Sequence, residues 1–324
     1  MNSYSFLEEL LMNIHKIVLP TPYAIGDVNA FLVKGDALTL FDAGPKTKPA
    51  YEALARGIHE QGYSMDDIEQ VVLTHHHPDH AGWVDAFPKA DVLGHRYVDY
   101  WMRQSADFLH YRETFYREQL EQENVPQEDI DRILDAREEL ELFGTRPLTR
   151  FLKDGDEVPG HPGLVAYETL GHAQSHFIFV EEHTGEAIGG DLLLEKVSSN
   201  PLVEPPVDLK GERPKSLLQY NASLKRLQKM DISKLYTGHG DAVTAIKPLV
   251  AERLTRQHDR AMHVLQLMAQ HNNVYDLTKA LFGKTYVKQP GLTLSETLGQ
   301  LDYLVAEGYA RSEMQNGVEI YMPA

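Results

Sequence analysis

The stretch VVLTHHHPDHAGWVDAF, residues 71–87, decides how this chain is read, because it crowds His75, His76, His77 and His80 into six positions. In an extended segment, residues i and i+2 face the same side. His75 and His77 can therefore chelate one ion together, while His76 points away. Pro78 keeps His77 extended and redirects the chain, so that Asp79 and His80 can face a second ion beside the first. An ion held by His75 and His77 alone would be under-coordinated, since zinc takes four ligands, or three plus water.

Working outward, three further donors stand where strands end. TLGHAQSH (169–176) places His172 after a strand and a glycine. AIGGDLLL (187–194) places Asp191 after a strand and two glycines, and YTGHG (236–240) places His239 between two glycines. Glycine lets the backbone come close at such points. Any one of these residues alone is an ordinary polar or turn residue. Joined to the dense cluster they complete a pair of sites: His75, His77 and His172 on one metal, Asp79, His80 and His239 on the other, Asp191 bridging. Asp42, after the strand that ends in Phe41, reads as orienting the histidine loop. His76 and His176 read as hydrogen-bonding supports of the ligands. His95 and His161 read as surface or packing residues.

The remainder alternates strands and helices in two blocks. Residues 28–41 form a hairpin around Lys34-Gly35-Asp36. Residues 46–62 carry Tyr51, Leu54, Ala55 and Ile58 on one helical face, with Gly62 as the stop. Val71-Val72-Leu73 is a short buried strand, and ligand sites favour the C-terminal ends of strands in layered α/β proteins. Residues 97–143 are rich in charge and aromatics and read as an insert of two or three helices broken near Asn124-Pro126. Its Trp101, Phe108, Tyr111 and Phe115 are expected to pack against the main body, a few of them serving as a lid. Strand texture returns at 151–190, an amphipathic helix at 216–230, and a last strand at KLYTGHG. After about 246, two helices break near Asn272-Asn273, and a third precedes a hairpin at Asn316-Gly317. That order is the one of a winged-helix module. The expected domains are thus 1–245, with the insert at about 97–143, and 246–324.

The sequence resembles the metallo-β-lactamase superfamily of hydrolases. HHHPDH meets the hallmark His-x-His-x-Asp-His, and FDAG, LGHAQSH, GGDLLL and TGHG match in order over residues 25–240. The resemblance implies an α/β fold, a four-layer αββα sandwich with a dinuclear site at one edge, and the ligand assignment given above. Members that hydrolyse β-lactams typically use a Cys at the second metal, and this chain has no cysteine. The flavodiiron branch has Glu in place of the second His, where His77 stands here. Glyoxalase II-like thioester hydrolases and lactonases share the all-His/Asp pattern, but the basic glutathione patch of glyoxalase II is not found. The tail resembles the winged-helix-like extension of the β-lactamase-like 2 subgroup, which includes an endoribonuclease.

Two divalent cations about 3.5–4 Å apart can hold a bridging hydroxide at neutral pH. The function expected is therefore a dinuclear metal-dependent hydrolase of a small-molecule ester, thioester or lactone, with Asp79 orienting the nucleophile and shuttling its proton. Zinc is the metal expected, and iron or manganese also suits five His and two Asp without a thiolate. Because ligating histidines must be neutral, activity is expected to fall below about pH 6. The alternatives are an endoribonuclease or other phosphodiesterase, and a non-enzymatic binding or regulatory protein. The net charge of −17 argues against a nucleic-acid partner, and an intact ligand set argues against lost catalysis. Winged units often serve only packing or dimer contacts, so a homodimer is compatible with the tail. No apolar run approaches the ~18 residues of a membrane span. Residues 1–20 lack the pattern of a secretory leader, so a cytoplasmic location is expected by default.

Overall fold

The computed structural model describes residues 13–135 and 137–324. The reading of the N-terminus as free of a leader rests mainly on residues 1–12 and lies outside the described residues. Two sheets stack face to face. The first holds β1 (Ile14–Leu19), β2 (Val28–Lys34), β3 (Leu38–Phe41), β4 (Gln70–Val72), β5 (Asp91–His95) and β6 (Arg150–Leu152) in that order. The second runs β10 (Lys234–Tyr236), β9 (Glu186–Ile188), β8 (Phe177–Glu181), β7 (Leu164–Glu168).

The central strands β2, β3 and β8 read as near-continuous apolar runs because both of their faces are covered. Phe31, Phe41, Val72 and Leu93 of the first sheet meet Leu164, Phe177, Phe179 and Ile188 of the second in a shared core. The Phe41 and Phe179 rings meet edge-on across it, with centroids 5.1 Å apart. The alternate residues Leu32, Leu40, Val71 and Val92 face outward onto Ala50, Leu54 and Ile58 of helix Lys48–Glu60. On the far side, Ile178, Val180 and Leu235 pack on Leu217, Leu224 and Leu227 of helix Ser216–Lys229, and on Ile246 and Val250 of helix Ile246–Leu267. The result is the expected αββα sandwich.

Strand direction gathers the polar loops. β3, β4, β5 and β6 are parallel. β7 and β9 both run antiparallel to β8, and β10 runs parallel to β9. The C-terminal ends of β3, β4, β7, β9 and β10 therefore open at one edge of the sandwich. Backbone bonds stitch the two sheets there: Phe177 N donates to Thr74 O at 2.8 Å, and Asn29 N to Gly238 O at 2.6 Å.

Two local expectations need correction and a third is narrowed. Tyr51 does not share the buried face of its helix; it is 38% exposed, with its ring tilted against that of Trp83, while Ala50 and Ala53 are buried instead. The helix interface is tight enough there to prefer small side chains. The 97–143 region holds four helical segments, Arg96–Arg103, Ala106–Gln122, Gln127–Leu134 and Arg137–Leu140, with the break at Asn124-Pro126 where expected. His95 and His161 are both buried, so packing rather than surface is their place, with His161 Nε2 2.6 Å from Thr39 Oγ1.

After 246 the order is helix Ile246–Leu267, helix Val274–Phe282 capped by Asn273, a short helix Lys284–Lys288, helix Pro290–Ala306, and the hairpin β11 (Ala310–Gln315) and β12 (Val318–Pro323). Their core includes Leu120, Val125 and Ile130 of the helical insert. Insert and tail thus pack on each other beside the polar edge. Among the described residues, no helix is long and apolar enough to cross a membrane.

Candidate metal centre

Each polar side chain at this edge is set by a local rule of the chain. Asp42 follows β3 with φ of 60°, a left-handed conformation that Asp tolerates better than most residues. His77 is extended ahead of Pro78, which opens the one-turn helix Pro78–Ala81, as proline at a first helical position does. That turn swings Asp79 and His80 to the side of the edge away from His77. Gly190 and Gly238 bring two backbones together, with Gly238 N donating to Gly190 O at 2.7 Å. A Cβ on Gly238 would lie 2.2 Å from Asp191 Oδ1, and one on Gly190 would lie 2.8 Å from His176 Nε2. Only glycine leaves Asp191 room.

The seven side chains read from the sequence meet here. Ligand-type atoms of His75, His77 and His172 lie within 4.8 Å of one another, as do those of Asp79, His80 and His239. His75, His80 and Asp191 form a third such group and join the two halves. Asp191 Oδ2 is 3.6 Å from His172 Nε2 and 3.5 Å from His239 Nε2, and its Oδ1 is 3.5 Å from His80 Nε2.

The hydrogen bonds behind the rings fix which nitrogen faces inward. His172 Nδ1 donates to Asn200 O at 3.0 Å, and His239 Nδ1 to Asp27 O at 2.8 Å. His80 Nδ1 donates to Asp42 Oδ2 at 2.8 Å. His75 Nδ1 donates to Thr74 Oγ1 at 2.9 Å, and that hydroxyl passes its own proton to Asp42 Oδ2 at 2.8 Å. In each case the Nε2 lone pair is left for the centre. His176 accepts the Asp191 backbone N–H on its Nε2 at 3.0 Å and holds Thr169 on its Nδ1. His76 turns away from the centre: it is stacked on Trp101, bonded to Ser175 and 3.1 Å from Glu204.

Buried polar atoms without partners are costly, and native interiors hold few. Here His75 Nε2, His80 Nε2, His172 Nε2 and Asp191 Oδ1 are all buried without a hydrogen-bond partner among the described residues. Four such atoms facing one another fit a divalent cation, and a nitrogen and carboxylate donor set without thiolate suits zinc, iron or manganese.

The electrostatics divide the centre. Burial and the neighbouring ring of His77 push His172 down to about 4, and burial and the nearby His80 and His77 hold His75 well below its usual range. That half offers neutral nitrogens. On the other half, burial lowers His239, but the Asp191 and Asp79 carboxylates outweigh it and carry the ring up to about 10. His80 is likewise raised by Asp191, Asp79 and Asp42 against its own burial. Without a cation, protons on His80 and His239 balance the carboxylates.

Sequence reading missed Glu204. It is buried, with Oε1 3.1 Å from His76 Nε2 and 3.4 Å from His77 Nε2, and with Oε2 accepting the Gln174 N–H at 2.6 Å. It lies in the loop segment LVEPP, where no periodicity or motif marks it. Of the insert aromatics, Trp101, Tyr116 and Phe143 line a cavity beside the centre, whereas Phe108 is buried in the core against Trp101.

Comparison with known proteins agrees with this architecture. The profile of the metallo-β-lactamase superfamily matches residues 24–239. The probable metallo-hydrolase YqjP of Bacillus subtilis is 39% identical over 90% of this chain and 92% of its own length. The β-lactamase-like protein 2 homolog of Caenorhabditis elegans is 21% identical over 81% of this chain and 73% of its own. A metallo-β-lactamase family protein from Thermus thermophilus superposes with a TM-score of 0.79 at 26% identity, covering 96% of this chain and 98% of its own. With its His and Asp donors gathered at one sandwich edge, the chain belongs to the metallo-β-lactamase superfamily and is a metal-dependent hydrolase of that family.

Proposed function

We propose that the centre is dinuclear and hydrolyses a small-molecule ester, thioester or lactone. His75, His77 and His172 would hold one divalent cation, Asp79, His80 and His239 the other, and Asp191 would lie between them; zinc is the ion proposed. The observation that carries this reading is the set of orphaned, inward-facing Nε2 atoms with Asp191 Oδ1 among them. Such a cation pair supplies Lewis-acid polarisation of the scissile carbonyl and an acidified water.

The protein's own groups supply the rest. Asp79 Oδ2 lies 3.3 Å from His239 Nε2 and 3.9 Å from His80 Nε2, so it can align the attacking water and take its proton. Burial pushes the Asp79 carboxyl up, but the His80 charge and a bond to His239 outweigh it and keep it ionised. Asp42, through Thr74 and directly, keeps His75 and His80 in the ligating tautomer. The cavity of about 400 Å³ that opens at His77 and Glu204 is of small-ligand size, and the net charge of −17 disfavours a polyanion.

The test is turnover by the metal-loaded protein of aryl esters, thioesters, lactones and labelled single-stranded RNA. Carbonyl turnover is expected to vanish with a chelator and in His77→Ala. RNA cleavage that disappears in His77→Ala, without any ester turnover, would replace this reading by the nuclease one.

A further inference from the structure

The cavity beside the centre is walled by two regions that the common sandwich does not need, the helical insert and the tail. One end reaches His77 and Glu204. Its lining includes the apolar Leu120, Phe143, Val203 and Leu294. Its insert wall carries Arg112. The Arg112 guanidinium carbon lies 5.4 Å from the Trp101 ring centroid and 5.1 Å from that of Tyr116. Two aromatic faces therefore fix its plane without neutralising it.

Other arginines of the insert are paired with acids: Arg117 with Glu113 and Asp131, Arg132 with Asp129. Arg112 is not. Its Nε is buried without a hydrogen-bond partner among the described residues. Two of the three acids lining the same cavity are otherwise engaged or held back. Glu204 is bound to His76, His77 and the Gln174 N–H. Glu123 takes Gln119 on one oxygen, and burial pushes it up to about 7. Glu139 lines the cavity from an exposed position. A half-buried guanidinium fixed between two rings, with its fork unfilled, is a receptor for a planar or tetrahedral oxyanion.

We infer that this cavity binds a substrate whose scissile carbonyl sits at the centre and whose apolar chain ends in a carboxylate or phosphate held by Arg112. The scissile end of the inference rests on the hydrolase reading; the anion end does not.

The experiment uses the zinc-loaded full chain with two sets of probes. The first set is the monoaryl esters of hexanedioic and octanedioic acid, an aryl 6-phosphonooxyhexanoate, and the neutral aryl hexanoate and octanoate. A charge-assisted contact predicts a preference in kcat/KM for the anionic esters of about 10- to 100-fold. Arg112→Met should abolish that ratio and Arg112→Lys retain part of it. The carboxylate and phosphate arms decide between the two head groups. The second set is octanedioate and hexyl phosphate, titrated by tryptophan fluorescence, since Trp101 lines the site. If no ester is turned over, binding of these acids that is lost in Arg112→Met sustains the inference while the hydrolase reading falls. Equal turnover of anionic and neutral esters by the wild type overturns it and needs no folded variant. Binding indifferent to Arg112, or RNA cleavage without binding of either acid, overturns it as well.

Discussion

Replacing Asp42 by Asn should disable two histidines that Asp42 reaches by different routes. Asp42 Oδ1 accepts the Thr74 backbone N–H at 2.8 Å. That donor is fixed, so the amide oxygen of Asn must face it, and the amide nitrogen must take the place of Oδ2. In the wild type Oδ2 accepts from both His80 Nδ1 and Thr74 Oγ1, each at 2.8 Å. An NH2 there can only donate. His80 Nδ1 must then become an acceptor, which puts its proton on Nε2. Thr74 Oγ1 must also accept, so its own proton turns to His75 Nδ1, and the proton of His75 too moves to Nε2. Both inward lone pairs are lost. One disturbed partner behind a ligand typically lowers metal affinity 10- to 100-fold, so two give about 10²- to 10⁴-fold.

Asp42→Ala separates the effects. It removes the acceptor but offers no wrong donor, so Thr74 can still accept from His75. Affinity should fall only about 10- to 100-fold. Stability should suffer more, because orphaned buried donors cost about 1–3 kcal/mol each and Ala resists a φ of 60° that Asn accepts. Zinc competition against a chromophoric chelator measures the affinities. Imidazole ¹⁵N shifts report the His75 tautomer in the metal-free protein, where burial keeps that ring neutral. If His75 keeps its Nδ1 proton in Asp42→Asn, or if that variant binds zinc as well as Asp42→Ala does, the relay is wrong.

Other outcomes follow from the same geometry. Gly238→Ala should fold yet lose metal by at least about 10-fold in affinity, since its Cβ lands 2.2 Å from Asp191 Oδ1; metal analysis after dialysis at wild-type content would contradict this. His176→Ala strips the acceptor from the buried Asp191 N–H and should cost about 1–3 kcal/mol in urea denaturation, together with weaker zinc binding; an unchanged midpoint refutes the role. For pH, His239 is raised from 6.5 to about 10 in the metal-free centre. A raised folded pKa contributes stability that is fully present below 6.5 and lost as pH rises through about 10. Thermal midpoints of chelated protein should therefore fall across that window, and zinc should flatten the slope. Zinc affinity should climb over the same range, because binding displaces the protons on His80 and His239. This places the main proton competition above the pH of about 6 expected for unperturbed histidines, while His172, at about 4, stays available lower.

The strands, the hallmark and the candidate donors were all legible in the linear chain. Runs such as FIFVE announce themselves because a strand covered on both faces needs apolar residues throughout, and HHHPDH announces a centre because crowded histidines have few other uses. Glycines flanking Asp191 and His239 marked close backbone approach, which glycine-bearing loops at strand ends allow. Asp42, His76 and His176 read as supports because each falls within a recognisable segment, although Asp42 bonds Thr74 and His80 across 32 and 38 residues. Tyr51 misled because helical periodicity gives a face but not which edge of that face a neighbouring sheet covers. What lies beyond the motif emerges only once the chain is folded. Glu204 reaches His77 from 127 residues away in sequence, out of an irregular loop with no pattern to read. The insert and the tail share one core and enclose a cavity between them. Arg112 looks like any surface arginine of a charged helix until its neighbours are known, because whether a charge is paired depends on distances that no local spacing encodes.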